Sequence, residues 1–201
     1  MTTRASEDHT ELFTPELVIW AYENGYFPMA DEQTGDLYWH APDPRAIIPL
    51  DAVKVSRSLR KVVRSNVFEP AVNRDFEAVI RGCADRESTW ISEDIIQVYL
   101  ELHRRGFAHS VETWLDGKLV GGLYGVQIGA AFFGESMFSI VSEASKVAFV
   151  HLTQRLREQD FLLLDSQYIN PHMESLGAIE ISRVQFMRML DRALQLPRIF
   201  H

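Results

Sequence analysis

Val111-Glu112-Thr113-Trp114-Leu115-Asp116-Gly117-Lys118-Leu119-Val120-Gly121-Gly122-Leu123-Tyr124-Gly125-Val126-Gln127-Ile128-Gly129-Ala130-Ala131-Phe132-Phe133 is where the chain turns from helical to extended periodicity. Asp116-Gly117 between two apolar runs is a two-residue hairpin signal, because the favoured hairpin turns need positive φ at their central residues. It predicts strands over Val111–Leu115 and Lys118–Gln127. Ile128-Gly129 turns the chain again, into a strand over Ala130–Phe133. Gly121, Gly122 and Gly125 inside the middle strand predict a bulge or the close approach of a ligand's backbone.

Two short stretches downstream organise the rest. Gly134-Glu135-Ser136-Met137-Phe138-Ser139 is read as a Gly-led link carrying a carboxylate from this strand to a helix. Phe161-Leu162-Leu163-Leu164 reads as a fully buried strand, and Asp165-Ser166-Gln167 puts a carboxylate and an amide at its end. A charge placed there must be solvated, paired or put to use. Between them, Ser142 is the expected cap of a helix whose Ala144, Ala148, Leu152 and Leu156 face the sheet. That helix returns the chain to the same sheet edge, so two carboxylates, a hydroxyl and an amide are expected in one cleft.

Upstream the pattern is helical. Thr14, Pro15 and Glu16 open a helix that Gly25 stops, with Leu17, Trp20, Ala21 and Asn24 on one face. Tyr26–Met29 reads as an apolar loop, and the aromatic, proline-rich Leu37–Pro44 as an extended path and a domain boundary. Arg45–Leu50 reads as a strand. Ser56 caps a helix through Ser65. At about 100° per residue, Leu59, Val62 and Val63 fall on one side of it and Arg57, Arg60, Lys61 and Arg64 on the other. No acid lies between Ala52 and Phe68, which suits a surface that meets a polyanion. Helices follow over Asp75–Cys83, through Phe76, Val79 and Ile80, and after Ser92, through Ile95, Tyr99 and Leu102; Ser88–Ile91 links them. After the Asp165 strand come an Asn170-capped turn of helix ending at Gly177 and a last helix from Ser182 to Leu194. This order predicts an α+β fold: a mixed, mostly antiparallel sheet with helices on its faces.

The bulk numbers set limits. The chain has 201 residues, 46% of them apolar, and a net charge of -8, which argues against nucleic-acid binding through the whole surface but allows a local basic patch. A single cysteine, Cys83, suits a small buried residue in a reduced compartment. The N-terminus carries no apolar h-region, and no segment is long enough to span a membrane, so a cytoplasmic location is expected. There is no Gly-x-x-x-x-Gly-Lys-Ser/Thr loop, no Gly-x-Ser-x-Gly elbow and no His-Glu-x-x-His pair. What remains suits transfer of an acyl group carried on a polyanion.

Ordered motifs then carry a resemblance. They are Trp39–Pro44 with Arg45-Ala46, Thr89-Trp90-Ile91, Ala108–Glu112 with Trp114, and Leu119–Val126. Gly134–Ser139, Ala144-Ser145-Lys146, Asp165-x-Gln167 and Ser175–Ala178 complete the series. From about Leu17 to Leu190 the chain resembles the leucyl/phenylalanyl-tRNA–protein transferases. The resemblance implies a small N-terminal domain over 1–43 and a domain similar to the N-acetyltransferase (GNAT) fold over 44–201. It implies transfer of Leu or Phe, less readily Met, from aminoacyl-tRNA to the α-amine of proteins beginning with Arg or Lys, which then enter the bacterial N-degron route. No cofactor or metal is implied, and a monomer is expected.

By the same resemblance, Asp165 and Gln167 match the catalytic pair, and Glu135 and Asn170 match residues beside the acceptor amine. Trp90, Tyr99, Phe132, Met137, Leu152 and Leu156 match the aminoacyl and adenosine pocket, and the basic helix matches the tRNA surface. The chain departs from the family pattern at Met29, Tyr38 and Ile140. Asp165 taking the amine's proton, Asp165 polarising Gln167, and Gln167 facing the oxyanion all stay open at this point. An acyl-CoA enzyme is the alternative, disfavoured because Gln127-x-Gly129-Ala130 lacks the spacing of a pyrophosphate loop. A tRNA-binding module without catalysis is a third reading, against which Asp165 and Gln167 stand.

Overall fold

Among the described residues, six of the seven helices begin where a short polar side chain can accept a backbone N–H. In the computed structural model, which describes residues 3–4, 13–31, 34–87 and 89–201, Thr14 caps α1 (Pro15–Glu23), Ser56 caps α2 (Arg57–Arg64), and Asp75 caps α3 (Phe76–Ala84). Ser92 caps α4 (Glu93–Arg104), Asn170 caps α6 (Pro171–Leu176), and Ser182 forms a capping box with Gln185 on α7 (Arg183–Leu194). Each such cap is worth about 1 kcal/mol and is encoded within four residues, which is why the sequence reveals it. The exception is α5 (Ala144–Glu158). Its N-cap is Glu143 in a left-handed conformation with no capping side chain, not Ser142 as expected. The polar lead over 1–10, apart from Thr3–Arg4, and Ser88 of the 88–91 link lie outside the described residues.

The strands form two sheets. β1 (Thr3–Arg4), β2 (Phe27–Ala30) and β3 (Leu37–His40) make a small N-terminal sheet in the order β1-β3-β2. The other strands are β4 (Arg45–Ile47), β5 (Glu69–Val72), β6 (Ala108–Leu115), β7 (Lys118–Ile128), β8 (Ala131–Ser139), β9 (Leu163–Gln167) and β10 (Ile179–Ile181). They form a seven-stranded sheet in the order β10-β4-β9-β8-β7-β6-β5. All neighbours are antiparallel except β8 and β9, which α5 joins as a parallel crossover. The mixed α+β architecture with helices on both faces is the one expected.

Strand alternation divides the core between the two faces. Tyr124, Phe133 and Leu163 point to a cluster with Tyr22 of α1, Val79 of α3, Tyr99 of α4 and Phe186 of α7. Their chain neighbours Leu123, Phe132 and Leu164 point the other way, to Ala148, Phe149, Leu152 and Leu156 of α5. Cys83 is buried in the first cluster.

Several expectations are corrected. Tyr26–Met29 is not a loop, because Phe27–Ala30 pairs with β3. The edge strands β5 and β10 were not foreseen: they are short, and β5 contains Pro70, which only an edge position tolerates. β4 ends at Ile47 rather than Leu50, and β9 starts at Leu163 and continues through Gln167. The buried face of α1 is Val18, Ala21 and Tyr22, whereas Trp20 is 55% exposed. The face read from the sequence was turned by one residue. Gly134–Ser139 is not a link but the second half of β8, paired with β7.

Candidate active site

The parallel pairing of β8 with β9 covers Ala131↔Leu163, Phe132↔Leu164 and Phe133↔Asp165, and stops there. Beyond it β8 follows β7 and β9 follows β4, so the two strands part and open a gap in the middle of the sheet. Two local features accompany the parting. Gly125 faces Gly134 and Tyr124 faces Ser136, which leaves Glu135 as the extra residue of a β-bulge. Gln167 sits in the left-handed region at φ 59. Gly125 is required at this bulge, since a Cβ would lie 2.3 Å from the Phe133 carbonyl oxygen and 2.4 Å from the Phe132 ring. Glu135 and Gln167 meet across the gap.

Asp165 is fully buried at the point of divergence. Its Oδ1 accepts from Arg45 Nε at 2.9 Å and from the Gln167 backbone N–H at 3.1 Å, and its Oδ2 accepts from Arg45 Nη2 at 2.6 Å. Arg45, 1% exposed, lies between the Phe27 and Phe186 rings, 4.7 and 4.6 Å from their centroids. It also donates Nη1 to the Gly25 carbonyl at 3.2 Å. One guanidinium thus joins the N-terminal sheet, the end of α1 and α7 to the strand that carries Gln167. Asp165 is a fixed counter-ion.

Glu135 is held differently. Its Oε1 accepts from the Tyr22 hydroxyl at 2.6 Å and from Gln167 Nε2 at 3.0 Å, and its Oε2 lies 3.3 Å from the Tyr99 hydroxyl. The two tyrosine hydroxyls are 2.7 Å apart, so they share their protons between Glu135 and each other. Among the described residues no cation makes an ion pair with this carboxylate. Burial, with Asp165's charge adding to it, pushes its pKa up to about 8, against the pull of the tyrosine hydrogen bonds and of Arg45. Burial and the neighbouring carboxylate raise both tyrosine pKa values well above the ordinary range, so both phenols stay protonated donors.

Glu135, Asp165 and Gln167 line a cavity of about 270 Å³. Its apolar walls are Ile48, Leu123, Met137, Phe149, Leu152 and Leu164. Of the pocket residues named from the sequence, Trp90, Met137 and Leu152 line it. Tyr99 sits behind Glu135, and Phe132 and Leu156 are fully buried beneath the wall rather than on it. Asn170 lines the cavity while its Oδ1 caps α6 by accepting from Met173 N at 2.9 Å, which leaves its NH₂ unengaged among the described residues. The hydroxyls of Tyr124 and Ser166, also on the lining, are buried without a partner among the described residues, so the cavity offers polar contacts a ligand can use. On α2, Arg57, Arg60, Lys61 and Arg64 are all exposed opposite the buried Leu59. The site is completed by residues the sequence reading did not single out, Tyr22 and Arg45, and by the walls Leu123, Phe149 and Leu164.

The departures fall outside this centre. Met29 and Tyr38 face each other across the N-terminal sheet, and Ile140 is 73% exposed just past β8.

Comparison with known proteins identifies the family. The family model described as "Leucyl/phenylalanyl-tRNA protein transferase" matches residues 47–191, and the model of that family's N-terminal domain matches 11–43. The leucyl/phenylalanyl-tRNA–protein transferase of Gloeobacter violaceus is 55% identical over 184 residues, covering 92% of this chain and 95% of its own. That of Rubrobacter xylanophilus is 55% identical over 188 residues, covering 93% and 98%. Among solved structures, a GCN5-related N-acetyltransferase-like protein from Streptococcus suis aligns with a TM-score of 0.38 at 13% identity, over 83% of this chain and 64% of that one. With its length spanned by both models and its relatives matched almost end to end, this chain belongs to the leucyl/phenylalanyl-tRNA–protein transferase family.

Proposed function

We propose that the protein moves leucine or phenylalanine, and less readily methionine, from aminoacyl-tRNA to the α-amine of proteins beginning with Arg or Lys, and so marks them for N-degron degradation. It acts as a cytoplasmic monomer, with residues 1–43 as a small N-terminal domain and 44–201 as the transfer domain. One observation carries the reading: a largely apolar cavity is lined by a carboxylate and an amide hydrogen-bonded to each other between two diverging strands.

The donor ester is already activated, so catalysis is mainly orientation plus management of one proton. Gln167 Nε2 is engaged by Glu135, which leaves its carbonyl oxygen to accept a hydrogen bond from the incoming amine. The amine nitrogen bonds to the ester carbon, the bond from that carbon to the ribose oxygen breaks, and the ribose hydroxyl regains a proton. A neutral amide does not keep the amine's proton, and Asp165 has its oxygens tied to Arg45. Glu135, at about 8, matches an α-amine whose unperturbed pKa is ~7.7–8.0, and serves as the proton's carrier from amine to ribose. Asp165 is the positioning residue that fixes Gln167 through its backbone. The exposed basic face of α2 takes the tRNA body.

Incubating the purified protein with labelled Leu-tRNA and a peptide beginning with Arg, and separately with acetyl-CoA, tests the proposal. Label transferred to the peptide from the tRNA alone is expected. In a wall of this kind one methylene is worth ~1–3 kcal/mol, so Val should be transferred roughly 10–200-fold less well than Leu. Acetyl transfer without aminoacyl transfer would overturn the reading.

A further inference from the structure

One cation of the cavity has no part in the chemistry above. Arg86 lies just past α3, four residues before Trp90, and both line the cavity. Its guanidinium is held in place twice. Nε donates to the Cys83 carbonyl at 2.8 Å, and Nη2 donates to Ser136 Oγ at 2.8 Å. Ser136 is the residue after the bulged Glu135, so the guanidinium is tied to the strand that forms the site. Asp85 and Glu87 flank it in sequence, yet no carboxylate among the described residues makes an ion pair with it. Arg45, the other arginine at this centre, is engaged by Asp165 and by the Gly25 carbonyl. Arg86 is therefore an exposed and oriented cation that lines the cavity, without an ion-pair partner and with Nη1 unengaged among the described residues, in a protein of net charge -8.

A planar fork with fixed orientation matches a phosphate better than a mobile ammonium does, and charge-assisted bonds of this kind are the strong ones. Trp90, four residues on and lining the same cavity, is a ring on which a nucleobase can stack. A base and its own 5′-phosphate belong to one nucleotide, and a cavity lined by both Trp90 and Arg86 can engage the two together. We propose that Arg86 is the seat for the phosphate on the 5′ side of the donor's terminal nucleotide. This phosphate contact is separate from the basic face of α2 and sits on the α3 side of the cleft. The inference rests on the reading that the cavity takes the aminoacylated end of a nucleic acid.

The test compares two minimal donors, leucyl-adenosine and leucyl-adenosine 5′-monophosphate, with wild type and Arg86→Gln, and uses transfer from Leu-tRNA as the control. In wild type the phosphate should lower donor KM by about tenfold, the scale of one charge-assisted contact. In Arg86→Gln that difference between donors should vanish, and Arg86→Lys, which keeps the charge, should retain part of it. Circular dichroism and a thermal melt of each variant verify folding. Equal losses on both donors would make Arg86 a support for the loop and Ser136, and would overturn the proposal. So would an absence of phosphate advantage in wild type. If the defect appears instead in KM for an acceptor peptide with an acidic second residue, the anion belongs to the acceptor and the proposal also fails. Binding of adenosine 5′-monophosphate, followed by tryptophan fluorescence, gives a readout without turnover. Weaker binding to Arg86→Gln than to wild type supports the seat even if Leu-tRNA proves not to be a donor, whereas equal binding overturns it.

Discussion

Asp165 and Glu135 sit on neighbouring strands and line one cavity, yet their surroundings are opposite. Asp165 lies where β8 and β9 are still paired, closed off from solvent and gripped by a guanidinium that is itself walled by two aromatic rings. Glu135 lies two residues further, where the strands have parted, and among the described residues its hydrogen-bond partners are neutral donors: two phenols and an amide. A cation that compensates a buried charge fixes it as a structural ion, whereas neutral donors in the same low dielectric leave the proton free to come and go. Two residues of strand thus separate a group that holds the site together from one suited to carry a proton.

The sharpest way to break this contrast is to neutralise each carboxylate in turn. Asp165→Asn leaves Arg45 buried without its counter-ion and should cost about 3–5 kcal/mol of stability, read from urea denaturation, together with most activity. Glu135→Gln should leave the urea midpoint near wild type at neutral pH while lowering turnover by ~10²–10⁴-fold in a single-turnover assay. If the two variants behave alike, the division of labour is wrong.

The pH dependence sharpens the same comparison. Because folding raises the pKa of Glu135 to about 8, the folded protein holds this proton over a range where the unfolded chain has released it. Stability from this group should therefore fall as pH rises from the ordinary carboxylate range through about 8, and the slope should be absent in Glu135→Gln. Turnover should move the other way and rise through the same window as the carboxylate forms. Tyr22→Phe removes a hydrogen bond that favours the ionised form, so the rising limb should shift to higher pH. The rate should drop a few-fold at pH 7 and recover in alkali. An unmoved limb would show that another group titrates.

The smallest expected effect lies away from both carboxylates. Changing Arg60 and Arg64 to Ala should weaken aminoacyl-tRNA binding and flatten the log K against log salt slope by roughly one to two units. The rate with leucyl-adenosine should change little, which separates the exposed cations of α2 from the buried one at Asp165.

Most of the frame is legible because its signals are local. A cap residue acts on an N–H three residues away, and Asp116-Gly117 meets its need for positive φ (50° and 73°) within two residues. The candidate centre was legible in its β8 and β9 residues and less so elsewhere. Leu17/Trp20 and Val18/Tyr22 are both apolar stripes on α1, and only the helices around it select the second. Phe132 and Leu156 belong to the same apolar pattern as Leu152, and strand twist and helix phase decide which of them reaches the cavity. Nothing near Arg45 in sequence marks it as a partner of Asp165, 120 residues away.

The elements, their mixed order and the two carboxylate-bearing stretches are written in the amino-acid sequence, because propensity, capping and turn chemistry act over a few residues. That Asp165 is an ion-paired anchor and Glu135 the carboxylate with a raised proton affinity emerges with the folded arrangement. That assignment depends on which charges, phenols and dielectric surround each group, and those come from Tyr22, Arg45 and Tyr99, brought in from three distant elements by the packing of helices on a sheet that parts at Phe133 and Asp165.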